Sequence, residues 1–154
     1  MIKVICVCLG NICRSPVAEA LLREQFVKQG YVEGTDFMVD SAGTGDWHIG
    51  HPPDARSQQV CERHGIDITA QRARKFIKQD GKKYTAIFGM DKNNLDNIKQ
   101  IIVPEYYPKV ALFDAQEVND PYYGILDGFE IMYQQLERAA EKIVSDLTRN
   151  PNLD

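Results

Sequence analysis

The sequence predicts an α/β protein: a single domain over residues 1–154, built as a three-layer sandwich with a four-stranded parallel sheet and helices on both faces. Three observations carry that expectation. Short β-branched, nearly all-apolar runs alternate with longer stretches whose apolar residues recur at helical spacing. The first run, Met1–Val7, is apolar at consecutive positions, as a strand buried on both faces requires. No internal repeat, low-complexity tract or linker divides the 154 residues, which suffice for one sizeable core. A βαβα order of this kind implies a flavodoxin- or Rossmann-like arrangement.

Each element has its own warrant. Met1–Val7 (Met-Ile-Lys-Val-Ile-Cys-Val) reads as the buried first strand. Ser15 as N-cap and Pro16 in the first turn open a helix carrying Ala18, Leu22 and Phe26, flanked by Val17 and Leu21, and Gly30 stops it. Asp36–Ala42 is expected as the second strand, running into the Gly43-Thr44-Gly45 turn. Pro53–Gly65 has a proline start, helical composition and a glycine stop. Tyr84–Met90 is the third strand, after which Asp91 caps a helix bearing Leu95, Ile98, Ile101 and Ile102, closed by Pro104. Lys109–Phe113 is a short fourth strand. Phe129, Met132, Tyr133, Leu136, Ala140, Ile143, Val144 and Leu147 form a helical stripe that belongs to the core, and the Asn150-Pro151-Asn152 tail is expected to fray.

Composition narrows the class. Hydrophobic content of 44% and charged content of 26% are ordinary for a soluble globular chain. No apolar run approaches the length of a membrane span, and Met1 begins directly on a strand, so neither membrane insertion nor a signal peptide is expected. A net charge of −4 argues against nucleic acid and anionic membranes as main partners. Four cysteines without a secretion signal suit a reducing compartment, with the cytoplasm as the expected location.

Chemistry concentrates where the first strand meets the first helix, in Cys8-Leu9-Gly10-Asn11-Ile12-Cys13-Arg14-Ser15-Pro16. In parallel α/β sheets ligands bind at the carboxyl ends of the strands, and this loop falls there. A thiol beside a helix N-terminus ionises readily, and a guanidinium six residues on grips two phosphate oxygens in a planar fork. The loop reads as a cradle for a tetrahedral oxyanion with a nucleophile at its floor. Ser15 is placed to donate to the thiolate as well as to cap. A nucleotide-binding loop is excluded, because no Gly-Lys-Ser or Gly-Lys-Thr follows. Cys6, Cys8 and Cys13 lack zinc-site spacing, and His48, His51 and His64 fit no helix-borne metal pattern, so no metal or other cofactor is expected. Cys8 and Cys13 are close enough across one loop for a transient disulfide.

A thiolate attacking a phosphomonoester needs an acid for the leaving oxygen. Asp114, Glu117, Asp120 and Asp127 all follow the fourth strand. Asp120 is the choice, because Pro121 stiffens its backbone and Tyr122 and Tyr123 can wall an aromatic pocket.

With these residues in view, the chain resembles the low molecular weight protein tyrosine phosphatases essentially end to end. The resemblance rests on Val7–Pro16, on Asp40-Ser41-Ala42-Gly43-Thr44, on Met90-Asp91 with Asn94-Leu95, and on Asp120-Pro121-Tyr122-Tyr123-Gly124. It implies that Cys8 attacks phosphorus to form a phosphocysteine while Arg14 and the amides of Leu9, Gly10, Asn11, Ile12, Cys13 and Arg14 hold the equatorial oxygens. Asp120 would protonate the leaving phenolate and then activate water. Asn11, through bonds that include Ser41, would hold the loop in a strained shape, and Trp47 would form a variable aromatic wall. Phosphotyrosine-containing proteins are the implied partners and inorganic phosphate the product. Apart from the resemblance, the chain is expected as a monomer or a weak self-associating species, with the Tyr122-Tyr123 surface as the place for self-association.

One departure stands out: many relatives carry His where this chain has Gln71, ahead of Arg72-Ala73-Arg74, which calls the support of the cradle into question. Rival activities remain on the same scaffold. A thiol-linked arsenate reductase needs further relay cysteines, and past Cys13 only Cys61 remains. Protein-arginine phosphatases tend to carry Thr where this chain has Ile12, whose apolar wall favours an aromatic ring. A non-catalytic phosphotyrosine-binding module would have no need of Asp120.

Overall fold

The computed structural model describes residues 1–122 and 126–149. It contains β1 (Ile2–Cys8), α1 (Arg14–Lys28), β2 (Phe37–Gly43), α2 (Ala55–Arg63), α3 (Lys78–Lys83), β3 (Ala86–Gly89), α4 (Lys92–Ile101), a 3₁₀ segment (Pro104–Lys109), β4 (Val110–Leu112) and α5 (Leu126–Arg149). The strands form one parallel sheet in the order β2-β1-β3-β4. The predicted class therefore holds, with strand ends displaced by one or two residues.

β1 is central, and its side chains divide by parity as a pleated strand requires. Ile2, Val4, Cys6 and Cys8 enter the core beneath α1, α2 and α5, while Ile5 and Val7 enter the core shared with α4 and the 3₁₀ segment. Burial on both faces explains why the segment is continuously apolar rather than alternating. Within the first core, Phe26 of α1 stacks on Phe37 of β2 with ring centroids 4.4 Å apart and planes 12° from parallel. Both rings are fully buried. Phe26→Ala is therefore expected to lower stability by about 3–5 kcal/mol in urea unfolding, with a loss below about 1 kcal/mol contradicting this packing.

Two elements escape the periodicity argument. α3 is Lys-Gln-Asp-Gly-Lys-Lys, polar throughout, and is held by local bonds: Asp80 accepts the Ile77 amide at 2.9 Å and the Arg74 guanidinium at 3.0 Å. The 3₁₀ segment lies between Pro104 and β4 and contains Pro108, so neither period applies.

The expected N-cap is corrected. Helix α1 begins at Arg14, Cys13 holds the cap position, and no side chain caps it. Ser15 already lies inside the first turn, and its hydroxyl faces Cys8 and Asn11 instead. The first amides of α1 are thus left without a side-chain cap. At the head of α4 the cap is as read, Asp91 accepting the Asn94 amide at 2.8 Å, and α2 is capped by Asp54, which accepts the Arg56 amide just after the expected proline start. Because all strands run in one direction, the segments after β1, β2, β3 and β4 emerge on one edge of the sheet.

Candidate active site

Cys8 ends β1, and the chain then turns back through Leu9–Cys13 into α1. Four carbonyls of this segment face outward and are taken by neighbours. Cys8 O accepts the Thr44 amide at 3.0 Å, Leu9 O the Gly45 amide at 2.8 Å, Ile12 O the Asp54 amide at 2.8 Å, and Cys13 O the Ser57 hydroxyl at 3.1 Å. In a planar trans peptide the following N–H points opposite to its carbonyl. The amides of Leu9, Gly10, Cys13 and Arg14 are therefore turned inward, over the Cys8 thiol, whose Sγ itself accepts the Asn11 amide at 3.3 Å. Close approach of β2 makes this possible: a Cβ at Gly43 would collide with Leu9 O and the Gly10 backbone.

Asn11 carries the strain of the turn. Its φ of 58° is the one positive φ at a non-glycine position among the described residues, and its side chain is fully engaged. Nδ2 donates to Ser15 Oγ at 2.8 Å and to Ser41 Oγ at 2.9 Å, while Oδ1 accepts the Arg74 amide at 3.0 Å. Ser15 Oγ in turn lies 3.0 Å from Cys8 Sγ. Gln71 stands apart from this network, donating to Pro16 O at 3.1 Å, so the cradle is supported here through the Arg74 backbone rather than through residue 71.

Arg14 is 2% exposed, and its guanidinium is aimed by groups from two other strand ends. Nη1 donates to Asp91 Oδ2 at 2.6 Å, after β3, and to Val118 O at 3.0 Å, after β4. Nη2 lies 3.5 Å from Asp120 Oδ2. Burial opposes the charge on Arg14, but Cys8, Asp91 and Asp120 outweigh it and hold the guanidinium more firmly protonated than usual. Asp120 keeps a side chain 40% exposed, with Oδ1 accepting the Tyr122 amide at 3.0 Å. Burial pushes the Cys6, Cys13 and Cys61 thiols up, Cys61 to about 12, so none of these three is ionised near neutral pH. All four cysteines are free thiols.

A cleft of about 360 Å³ opens over this floor, lined by Cys8, Leu9, Gly10, Ile12, Cys13, Arg14, Trp47, His48, Asp120 and Tyr122. Trp47 is 66% exposed, with its ring laid across Gly45, and forms one wall. Tyr122 forms the other, its ring 6.2 Å from that of His48. Arg56 of α2 ties this wall down by donating to Tyr122 O at 2.7 Å. Tyr123, the other expected wall residue, lies outside the described residues, as does the Asn150–Asn152 tail.

The structure thus gathers Cys8, Arg14, Asp120, Trp47 and Tyr122 in one cleft, with Asn11, Ser15 and Ser41 behind the floor. Sequence reasoning missed Asp91 as the carboxylate that aims Arg14, seeing only a helix cap. It also missed Arg56 and the buried Glu19. For Asp91 a signal existed, since a carboxylate directly after the third strand must share the sheet edge with the cradle. Among the described residues no group of three or more His, Cys, Asp or Glu side chains is arranged to hold a metal ion, and no helix is long and apolar enough to cross a membrane.

A parallel sheet presenting a thiol, inward amides, a buried guanidinium and an opposed carboxyl defines a thiol-dependent phosphatase architecture. Comparison with known proteins narrows this. The family model described as low molecular weight phosphotyrosine protein phosphatase matches residues 3–153. The phosphatase of that name from Schizosaccharomyces pombe is 44% identical over 142 residues, covering 88% of this chain and 90% of its own. The one from Homo sapiens is 41% identical over 144 residues, covering 88% and 89%. A crystal structure of protein tyrosine phosphatase from Entamoeba histolytica, with Hepes in its active site, superposes with a TM-score of 0.91 at 32% identity, covering 97% of this chain and 98% of that one. The chain belongs to the low molecular weight phosphotyrosine protein phosphatase family. It is a protein tyrosine phosphatase, a hydrolase of phosphotyrosine.

Proposed function

We propose that this chain, as one domain over residues 1–154, cleaves phosphotyrosine in proteins, and small aryl phosphates, through a phosphocysteine at Cys8. The observation that carries this reading is the convergence of Cys8, the Arg14 guanidinium and Asp120 on one cleft, with Asp120 3.5 Å from Arg14 on the open side. In the first step the thiolate attacks phosphorus in line, the P–O bond to the phenol breaks, and the Asp120 proton passes to the departing oxygen. The inward amides and Arg14 take the charge on the equatorial oxygens. In the second step Asp120 removes a proton from water, the new P–O bond forms, and the electron pair of the P–S bond returns to sulfur, with Ser15 donating to it. Inorganic phosphate leaves.

Ile12 and Trp47 give the cleft apolar sides suited to a phenyl ring. The free thiols suit a reducing cytoplasm, and the chain is assigned as a monomer or weak self-associating species. The acid role has its own test. Asp120→Ala is expected to lose roughly 10²–10⁴-fold in kcat/KM, which reports the first step, on phenyl phosphate, a poor leaving group, and far less in kcat/KM on 4-nitrophenyl phosphate. Equal losses on both substrates would assign the acid elsewhere.

A further inference from the structure

Glu19 lies in α1 behind the cradle, buried, and has no part in the steps above. Both of its carboxylate oxygens accept: Oε1 from the Ser41 hydroxyl at 2.8 Å, Oε2 from Arg23 Nη2 at 3.0 Å. Arg23 is itself anchored, its Nε donating to Glu33 at 2.9 Å and its Nη2 to Val39 O at 3.1 Å. A continuous line of hydrogen bonds therefore joins Arg23, Glu19, Ser41, Asn11, Ser15 and Cys8.

The direction of that line is determined. Asn11 Oδ1 is committed to the Arg74 amide, so its Nδ2 must face both hydroxyls and donate to each. Each hydroxyl, having accepted, must send its own proton onward. Ser41 sends its proton to Glu19, and Ser15 sends its proton to Cys8. Were Glu19 unable to accept, the Ser41 proton would be left buried without an acceptor. Turning the Asn11 amide over to receive it would set Nδ2 against the Arg74 N–H and draw the Ser15 proton away from sulfur.

Resting on the phosphocysteine reading above, we infer that Glu19 is a positioning residue that polarises this relay, so that Ser15 donates to sulfur as it leaves phosphorus. The effect falls on the second step, in which water adds to phosphorus, the P–S bond breaks and its electron pair returns to Sγ. The groups facing Glu19 are Arg23 on its own helix, Asp40 and Ser41 on β2, and Cys6 on β1, with Glu33 behind Arg23. Burial raises the Glu19 carboxyl above its usual range and Arg23 opposes the rise. Removing Arg23 makes protonation of Glu19 easier, and a protonated Glu19 no longer offers both oxygens as acceptors.

The test is stopped-flow hydrolysis of 4-nitrophenyl phosphate, whose good leaving group makes the first step fast and leaves kcat to report the second. Glu19→Gln keeps the shape, but its one acceptor oxygen goes to the charged Arg23 guanidinium, which sets its NH2 against the Ser41 hydroxyl and leaves that proton without its acceptor. It is expected to keep the nitrophenolate burst and hold kcat/KM within about 3-fold, while kcat falls about 10-fold. A folded Glu19→Gln enzyme with the wild-type kcat overturns the inference. So does a burst slowed by the same factor as the steady state, which is what a merely loosened loop would give. Should Glu19→Gln fail to fold, Arg23→Ala decides: its kcat is expected to fall more steeply than the wild type's as pH drops, and superimposable profiles overturn the inference. A wild-type enzyme that forms no phosphocysteine would instead overturn the reading on which this one rests.

Discussion

Cys8→Ser is expected to abolish turnover, a loss of about 10⁴-fold or more, while inorganic phosphate still binds in the cleft. The two halves of this outcome have separate causes. Turnover is lost because a hydroxyl at this position is a far poorer nucleophile than a thiolate, and Ser15 and Asn11 stabilise an anion rather than extract a proton. Binding survives because the cradle is not shaped by sulfur. Its carbonyls are held by Thr44, Gly45, Asp54 and Ser57, and its strained residue by Ser15, Ser41 and Arg74. Steady-state assays and calorimetric titration with phosphate read the two quantities independently. Retention of substantial activity would remove Cys8 as nucleophile, and loss of phosphate binding would mean that the thiol organises the loop.

Arg14→Lys is expected to cost roughly 10²–10³-fold in kcat/KM even though the charge is kept. The guanidinium is divided between two tasks. Nη1 is consumed by Asp91 and Val118 O, which fix the plane. Nε is buried with no partner among the described residues, and Nη2 has only the longer contact to Asp120, so this edge is left to a bound phosphate. A lysine in the same place meets Asp91 first and offers no second, parallel donor. A fall of about tenfold or less would show that a point charge suffices and that the planar fork is not what the site uses.

What could be read from the sequence, and what could not, follows from how each feature is encoded. β1 and α5 announce themselves because burial on two faces or along one stripe repeats over many residues. The cradle was legible for another reason: its thiol, arginine and helix start are consecutive in the chain. Asp120 required a topological step, from strand four back to strand one, and that step could be made because the sheet is parallel. Asp91 needed the same step and was missed, since its role as the cap of α4 already accounted for it. Glu19 was beyond reach. A glutamate in a helix ordinarily faces solvent, and only the packing of α1 on β2 turns it toward Ser41. Ser15 was half legible: its expected bond to the Cys8 thiolate is present at 3.0 Å, while its expected role as cap falls to Cys13, because the helix starts at Arg14, earlier than a serine before a proline suggests.

The most direct test of the central claim is turnover of phosphotyrosine, phosphoserine and phosphoarginine peptides, side by side and in the presence of chelator. Arg14, the inward amides and the Ile12–Trp47 walls predict release of phosphate from the phosphotyrosine peptide alone. A preference for phosphoarginine would contradict the reading of Ile12 as a wall for an aromatic ring. Absence of turnover with all three would contradict the catalytic account and leave a cleft that binds phosphate without cleaving it.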